Sequence, residues 1–398
     1  MIARIWRRIL AQLPWPVAKL TPLLTMMLLV GLMEYTRTGL YTVYLPQSLG
    51  PLVGLGAVGL AASLQYFADA LARSLGGHLS ERFGVRRVFP AVSLLGAAFV
   101  VYIIHTRSAA GLLLSSLAYG LAIAPLWPTF LTYSTGAANS GEDGHAVGIT
   151  LTLVAPFIGL GSLLTSYLYD HSPALAATSL TVVQVLFAVV GILLIPLIFR
   201  SVPPPQIVDY ARFPWRKIAF LAPGALTQML ALGLLTPVIF PFFKERGFDT
   251  TSLVIALAVG GGLEVLLISP VGRYVDRHGP GRGFVFGLGV AALTLFSFSM
   301  VRNLTGLIAV AALAGVLQAV LIPSWGGLVS RSLPSEFKAS AWGALMTLEG
   351  LGFAIGPVIG GYSWQLFGSE APFYTGAILY ASVAVFYLFK LLRRQSLA

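Results

Sequence analysis

Charged and polar side chains lie inside two of the most apolar stretches of this sequence. Glu34 and Arg37 are three residues apart, so they share one face of a helix. Gln65, Asp69 and Arg73 follow in the next apolar stretch at intervals of four and form a second polar stripe. A carboxyl group held away from water tends to keep its proton, whereas a nearby guanidinium favours the charged form. The two stripes therefore predict a proton-binding site in which Asp69 is the main carrier and the Glu34–Arg37 pair tunes it.

The same residues also allow a structural interpretation, in which an ion pair locks the first helix to the second. We favour the functional interpretation because two acids beside one arginine exceed what a neutral lock requires, and charges inside a membrane are usually functional. A rise of 1.5 Å per residue, counted back from Gly77, places Asp69 about 12 Å inside the cytoplasmic end of its helix.

Other residues in the apolar stretches complete a candidate substrate site. The set comprises Glu34, Arg37, Tyr41, Gln65, Asp69, Trp127, Trp325 and Glu349. Each tryptophan could stack on a sugar or a cation, or could pack in the interior or at the membrane interface. Glu264 and Glu349 either line a cavity or bind neighbouring backbone, and the sequence leaves these two roles open.

The composition makes a lipid bilayer the solvent of this chain. Of 398 residues, 57% are hydrophobic and 10% are charged, and the mean hydropathy is +0.85. A soluble protein of this length cannot bury so much apolar surface. The net charge of +11 is typical of cations at the cytoplasmic membrane face rather than of nucleic-acid binding. Since there are no cysteines, zinc-like and redox cysteine motifs are excluded, and we expect no metal and no cofactor.

Twelve apolar stretches are long enough to be transmembrane helices. They cover about residues 20–45, 52–76, 88–105, 109–135, 146–169, 174–199, 218–243, 251–272, 283–301, 304–330, 341–363 and 372–392. The prolines beside Trp127 and Trp325 are expected to kink helices 4 and 10. The predicted fold class is an all-α membrane protein with twelve transmembrane helices.

Composition also divides the chain into segments. Residues 200–217 are rich in proline and charge and predict a cytoplasmic linker between two six-helix bundles, 17–199 and 218–398. Residues 1–16 combine arginines with large apolar side chains and predict an interfacial amphipathic helix.

The distribution of Lys and Arg predicts the orientation in the membrane. With the N-terminus inside, nineteen of these cations fall in cytoplasmic segments and four in external loops. Cytoplasmic loops carry the excess of positive charge in membrane proteins. We therefore expect both termini in the cytoplasm.

A segment rich in glycine and arginine occurs twice. Gly77–Arg87 and Gly272–Arg282 each separate two apolar stretches and lie 195 residues apart, and a carboxylate precedes each by eight residues. The pattern predicts a short turn, because glycine permits a tight bend and cations favour an anionic membrane surface. The candidate gating residues are Gly77, Glu81, Arg82, Gly84, Arg86, Arg87, Gly272, Asp276 and Arg277.

This repeated segment resembles the signature loop of the major facilitator superfamily (MFS), which lies between helices 2 and 3 and again between helices 8 and 9. Glu81 departs from that pattern, since aspartate is usual there. The resemblance implies two pseudo-symmetric six-helix bundles, a substrate held between them near the midplane, and transport by alternating access. It also implies that the first loop latches helix 2 to helix 11 in the outward-open state.

Helix 11 carries a second feature of this kind. Its row of Gly352, Gly356, Pro357, Gly360 and Gly361 resembles the antiporter motif that the MFS has on helix 5. In this sequence the counterpart on helix 5 is degenerate, and such rows first predict close helix packing. The arginine that the family often has on helix 4 is missing, and Arg37 is the candidate for its electrostatic role.

Several segments resemble one branch of the MFS, the lipoteichoic-acid anchor flippases of Gram-positive bacteria. The matching segments are Met33–Arg37, Tyr66–Ala70, Pro125–Trp127, Ile322–Trp325 and Trp342–Gly361. The resemblance implies an antiporter of the bacterial plasma membrane that flips a diglucosyl-diacylglycerol glycolipid in exchange for protons. It assigns the proton-coupling roles to Glu34, Arg37 and Asp69, and it makes the more apolar C-terminal half the place for lipid tails.

Two alternative functions stay open. A multidrug exporter could use the same proton site, whereas a non-transporting scaffold or sensor has no need for three charged residues in the bilayer. The sequence contains neither His-Glu-x-x-His nor Gly-x-Ser-x-Gly, so we expect a carrier and not an enzyme. The expected partners are an amphiphile or glycolipid, protons and membrane lipids, without nucleic acid, and the expected state is a monomer.

Overall fold

The computed structural model describes residues 15–137, 143–199, 215–332 and 338–392, and most of the predicted N-terminal helix and linker lie outside these ranges. The described residues are nearly all helical and contain no strand, which confirms the predicted all-α class. The helices within these ranges group into twelve rods, apart from the short helix Gly50–Val53 between the first rod and the second. They are α1 (Val17–Thr38, then the π-helical Gly39–Tyr44, then Leu45–Ser48), α2 (Leu55–Phe83), α3 (Val85–His105), α4 (Ala109–Ile123 and Leu126–Ala137), α5 (Asp143–His171), α6 (Pro173–Val189, the π-helical Val190–Leu194, and Ile195–Ile198), α7 (Trp215–Leu235 and Ile239–Glu245), α8 (Thr250–His278), α9 (Pro280–Ser299), α10 (Leu304–Ser332), α11 (Lys338–Phe367) and α12 (Ala371–Leu392).

Ten rods of the described chain contain a stretch that is long and apolar enough to cross a membrane. The other two are α1 and α5, which have 22 residues in the Val17–Thr38 segment and 29 residues respectively. A helix needs about 20 residues to cross the hydrocarbon core, so both are long enough to do so.

The turn predicted over Gly77–Arg87 is wrong in its extent. Helix α2 continues to Phe83, so Gly77 lies inside the helix, and α3 begins at Val85. The chain turns at Gly84 alone, where φ is 81°, and Gly279 with φ of 99° makes the equivalent turn between α8 and α9. Polar residues after an apolar stretch do not end a helix, whereas a residue with positive φ does, and glycine adopts that conformation without steric cost.

The two prolines that were expected to kink helices 4 and 10 differ in effect. Helix α4 stops at Ile123 and resumes at Leu126, on either side of Pro125. Helix α10 runs without interruption through Pro323. The break in α4 follows from the missing N–H and the bulk of the proline ring.

The described residues form two compact units. The first contains those of Met1–Leu52 and Phe67–Gln206, and the second contains those of Val53–Tyr66 and Ile207–Ala398. The units therefore follow the predicted bundles except in the N-terminal half of α2, which packs with the second unit. The division into two six-helix halves at residues 200–217 stays a prediction.

Glycines bring helices into close contact in both units. In the first, a side chain at Gly39 or Gly161 would collide with the facing helix, where α1 meets α5. In the second, Gly352, Gly356 and Gly360 of α11 lie against backbone carbonyl groups of α7. The interpretation of the helix-11 glycine row as a packing surface is confirmed.

The N-terminal half of α2 is bound to α11 by a hydrogen bond next to a proline. Pro357 lies inside α11. The backbone N–H of Val358, the residue after this proline, donates to the Ser63 hydroxyl at 2.9 Å. This bond joins the two helices.

Candidate functional site

Arg37 lies at the centre of a buried ion network in the first unit. Its Nε donates to Glu34 Oε2 at 3.1 Å, and its Nη2 donates to Glu34 Oε1. Its Nη1 donates to Asp69 Oδ2 at 3.3 Å, across from α1 to α2. Glu34 and Asp69 are each 2% exposed and Arg37 is 9% exposed. The three residues predicted from the sequence are therefore brought into one cluster.

Arg73 is a fourth member, to which the sequence analysis assigned no role in proton coupling. Its Nη2 donates to Asp69 Oδ2 at 2.9 Å and its Nε donates to Oδ1 at 3.4 Å. The i, i+4 spacing in α2 was the signal for this pair. The described network thus has two acids and two arginines, so the premise that acids exceed arginines is wrong. A change at Arg37 alone therefore leaves Asp69 paired with Arg73.

Trp127 completes the network from α4. Its indole Nε1 donates to Glu34 Oε1 at 2.6 Å, over 93 positions of sequence. The indole follows the break at Pro125, and Gly76 of α2 lies against that proline, since a Cβ at Gly76 would be 2.8 Å from Pro125 N. The break in α4 and the close approach of α2 hold Trp127, for which the sequence suggested stacking, beside Glu34. In the structure its indole N–H donates a hydrogen bond.

The network satisfies both buried carboxylates. Glu34 accepts two bonds from Arg37 and one from Trp127, whereas Asp69 accepts one from Arg37 and two from Arg73. Hydrogen bonds between ionised groups are the strong ones, and they offset the cost of taking charges out of water. Loss of one partner leaves a buried charge uncompensated, so the network is sensitive to any change of its composition.

Two other candidate residues flank this network along their helices. Tyr41 is fully buried in the π-helical segment Gly39–Tyr44, which changes the register of α1 after Thr38. A π-helical turn contains more residues than an α-helical turn, so the residues after Thr38 are rotated relative to a regular α-helix. Gln65 lies one turn before Asp69, is fully buried, and has no hydrogen-bond partner for either amide atom within the described structure.

The remaining candidates form a separate pair in the second unit. Trp325 of α10 donates from its indole Nε1 to Glu349 Oε1 of α11 at 2.9 Å. The Trp325 ring also packs on Phe284 of α9, with 5.2 Å between ring centroids. Sequence reasoning placed both residues in the candidate set but did not predict their bond.

Comparison with known proteins identifies the family. The sequence profile of the Major Facilitator Superfamily matches residues 23–264 and 221–397. The chain belongs to the MFS. It is accordingly a multi-pass membrane transporter, as its composition and loop motifs predicted.

Known proteins of this family share the length of the chain at modest identity. The proton-coupled antiporter flippase LtaA of Staphylococcus saprophyticus is 26% identical over 381 residues, which are 91% of this chain and 92% of that protein. LtaA of Staphylococcus aureus strain USA300 is 24% identical over 383 residues, 91% of this chain and 93% of that protein. The crystal structure of the nucleoside transporter NupG has a TM-score of 0.70 at 16% identity and covers 95% of this chain and 99% of its own. The likeness to NupG confirms the MFS fold.

The residues of the MFS loop motif lie around the turn between α2 and α3 and the turn between α8 and α9. Arg82, Arg86, Arg87 and Arg277 are exposed, and Gly84 makes the turn before α3. Gly272 lies within α8, and its Cβ position faces Pro323 at 3.6 Å. The side chains of Glu81 and Asp276 and the surroundings of Gly77 are outside the described part, so the gating role of this MFS motif stays a prediction.

Proposed function

We propose that this MFS chain is a proton-coupled antiporter that exports or flips an amphiphile, of the diglucosyl-diacylglycerol class that anchors lipoteichoic acid. It acts in the bacterial plasma membrane by alternating access, with both termini in the cytoplasm. The observation that carries the proposal is the buried network of Glu34, Arg37, Asp69 and Arg73. Ionisable groups within a membrane mark proton and substrate pathways in transporters.

The network supplies the means of coupling. A proton on Asp69 removes the charge that holds Arg73 and the Nη1 group of Arg37, so these N–H groups become available to another anion or hydroxyl group, while Glu34 still holds Nε and Nη2 of Arg37. Loss of the proton restores the ion pairs. The ionised Asp69 and a substrate headgroup therefore compete for the same N–H groups, and this competition couples proton binding to headgroup binding.

The other side chains support an amphiphilic substrate. Glu34, Arg37 and Asp69, with Tyr41, Gln65 and Trp127, offer donors and acceptors that suit a sugar headgroup. The second unit is more apolar, and Trp325 and Glu349 are its candidate contacts to the substrate. The proteins named proton-coupled antiporter flippase LtaA resemble this chain over most of its length, which supports the same kind of activity here.

A multidrug exporter is the second candidate function. One observation favours it. Glu349 accepts a hydrogen bond from the Trp325 indole and has no ion-pair partner among the described side chains. An acid beside aromatic rings suits an organic cation.

Reconstitution into proteoliposomes tests the proposal. Fluorescent diglucosyl-diacylglycerol and a lipophilic cationic dye are compared, each with and without a proton gradient. We expect the gradient to accelerate movement of the glycolipid. Movement of the dye alone would support the multidrug exporter instead, and movement of neither would contradict a transport function with these substrates.

Asp69→Asn tests the coupling step in the same assay. The amide keeps the shape of the carboxyl group but has no titratable proton, so gradient-driven flipping should be abolished while binding and gradient-free exchange of the glycolipid remain measurable. Asp249→Asn is the control, because Asp249 caps α8 outside the membrane and asparagine caps helices equally well. If Asp69→Asn still responded to the gradient as the wild type does, Asp69 would not be the carrier.

A further inference from the structure

Each of the two units contains a hydrogen bond between a tryptophan and a carboxyl group inside the membrane-spanning helices. In both, a tryptophan two residues after a proline donates its indole N–H to an acid on another helix. Trp127 binds Glu34 at 2.6 Å, and Trp325 binds Glu349 at 2.9 Å. The two tryptophans lie 198 residues apart on α4 and α10, close to the 195-residue spacing of the repeated glycine- and arginine-rich segments, whereas the acids lie on α1 and α11. The second pair therefore has the construction of the first.

The two carboxyl groups differ in whether a cation lies beside them. Glu34 is paired with Arg37, which also bonds Asp69. Glu349 lies in the membrane-spanning stretch Ala344–Phe367, and among the described side chains no cation forms an ion pair with it. The basic residues in the spans of the second unit stand near helix ends: Arg216, Lys217, Arg282 and Lys390. A carboxylate without a counter-charge at this position is costly, whereas the neutral acid is not.

We propose that Glu349 is a second proton-binding site of this chain, with Trp325 as the residue that positions its carboxyl group. In the protonated form, Oε1 accepts the indole hydrogen bond and the proton resides on Oε2. Loss of the proton leaves a carboxylate whose described partner is a neutral N–H group. The use of this proton in transport rests on the proposed function, whereas its binding does not.

The elements packed against α11 bring neutral groups to its surface in the described structure. The polar and titratable ones are Thr227 and Gln228 of α7, Tyr380 of α12, Trp325 of α10, and Ser63 and Tyr66 of α2. The Tyr380 hydroxyl donates to the backbone oxygen of Gln228 at 3.2 Å. The Gln228 amide donates to the backbone oxygen of Gly224 at 3.1 Å. Tyr380 and Gln228 are thus bonded to the α7 backbone, and none of the groups named above is a carboxylate or an amine.

Labelling with dicyclohexylcarbodiimide tests proton binding directly. This apolar reagent adds to protonated carboxyl groups and not to carboxylates, and mass spectrometry of the digested protein locates the adduct. We expect an adduct on Glu349 in the folded protein that declines as the pH is raised and that is absent from Glu349→Gln. Acid-denatured protein controls for recovery of the peptide. Absence of the adduct from folded protein across the pH range would overturn the proposal.

Matched tryptophan variants test the positioning role. Trp325→Phe removes a donor that favours the carboxylate, so half-maximal labelling of Glu349 should move to higher pH by about 0.5 to 1 unit, the equivalent of one hydrogen bond. Trp127→Phe makes the same change in the first unit and should leave the labelling of Glu349 as it is. Equal labelling curves for both variants would overturn the role of Trp325.

Proteoliposome transport separates binding of this proton from its use. Glu349→Gln should reduce gradient-driven glycolipid movement several-fold, while Asp249→Asn should match the wild type. If the wild type moves no lipid, the proposed function fails and the labelling still decides the site. If the wild type is active and Glu349→Gln responds equally to the gradient, the claim that Glu349 takes part in coupling is overturned.

Discussion

Arg37 bonds both acids of the first unit, so its substitution removes hydrogen bonds from Glu34 and from Asp69 together. Glu34 accepts two of its hydrogen bonds and Asp69 accepts a third. Arg73 is less enclosed, with a side chain that is 33% exposed, and it bonds only Asp69 among the described acids of the network. Removal of Arg37 is therefore the substitution that tests the whole network.

Arg37→Ala should strongly destabilise the protein. It leaves Glu34 with the Trp127 indole alone and Asp69 with Arg73, and an uncompensated charge of this kind costs about 3–5 kcal/mol. Thermal unfolding in detergent measures the loss. Arg82→Ala is the matched control on the exposed end of α2, and it should change the free energy of unfolding by no more than about 0.5 kcal/mol. Equal melting temperatures for the two variants would contradict the network as described.

The sequence predicted the chemistry of this site better than its geometry. Glu34, Arg37 and Asp69 could be found because charges in apolar stretches are rare and helical spacing is local information. The bond of Trp127 to Glu34 could not, because it joins residues 93 positions apart and depends on the break at Pro125. The position of Arg73 was visible in the sequence, but its pairing with Asp69 was not used.

At the scale of helices, the apolar stretches predicted the existence of the rods but not their ends or irregularities. Helix α2 continues beyond its apolar part to Phe83, because surface residues can extend a helix until Gly84 turns it. The π-helical segment Gly39–Tyr44 had no sequence signal, since it arises where α1 packs closely against α5. Extrapolation by regular helical spacing does not hold across such a segment.

The contact of α2 with α11 gives a prediction at this scale. A Cβ at Gly59 would collide with the Pro357 carbonyl group, so Gly59→Leu should force the two helices apart and lower the free energy of unfolding by about 1–3 kcal/mol. It should also slow transport if this contact forms and breaks in each cycle. Gly262→Leu is the matched control, since its Cβ position in α8 has open space around it. Equal stability and equal transport of both variants would show that the helices tolerate separation.

At the scale of the whole molecule, charge distribution predicts orientation, and this feature is independent of the site. Nineteen of the 25 Lys and Arg residues fall in segments assigned to the cytoplasm and four in segments assigned to the outside. The exposed arginines Arg82, Arg86 and Arg87 and their second-repeat counterparts follow the same rule. The relation of orientation to function is direct, because the direction of a proton gradient has meaning only when the inner face is known.

Single-cysteine labelling can test this orientation without prior engineering, because the natural chain contains no cysteine. Arg107→Cys places a thiol between α3 and α4, and Asp209→Cys places one in the predicted linker. A membrane-impermeant maleimide should label Arg107→Cys in intact cells and should label Asp209→Cys only after the membrane is opened, since translocation of the cationic linker is disfavoured. The unsubstituted protein, labelled in parallel, measures the background. The reverse pattern would place both termini outside. It would also contradict the proposed direction of exchange, because the Phe83 end of α2, which follows Asp69 in the chain, would then face the exterior.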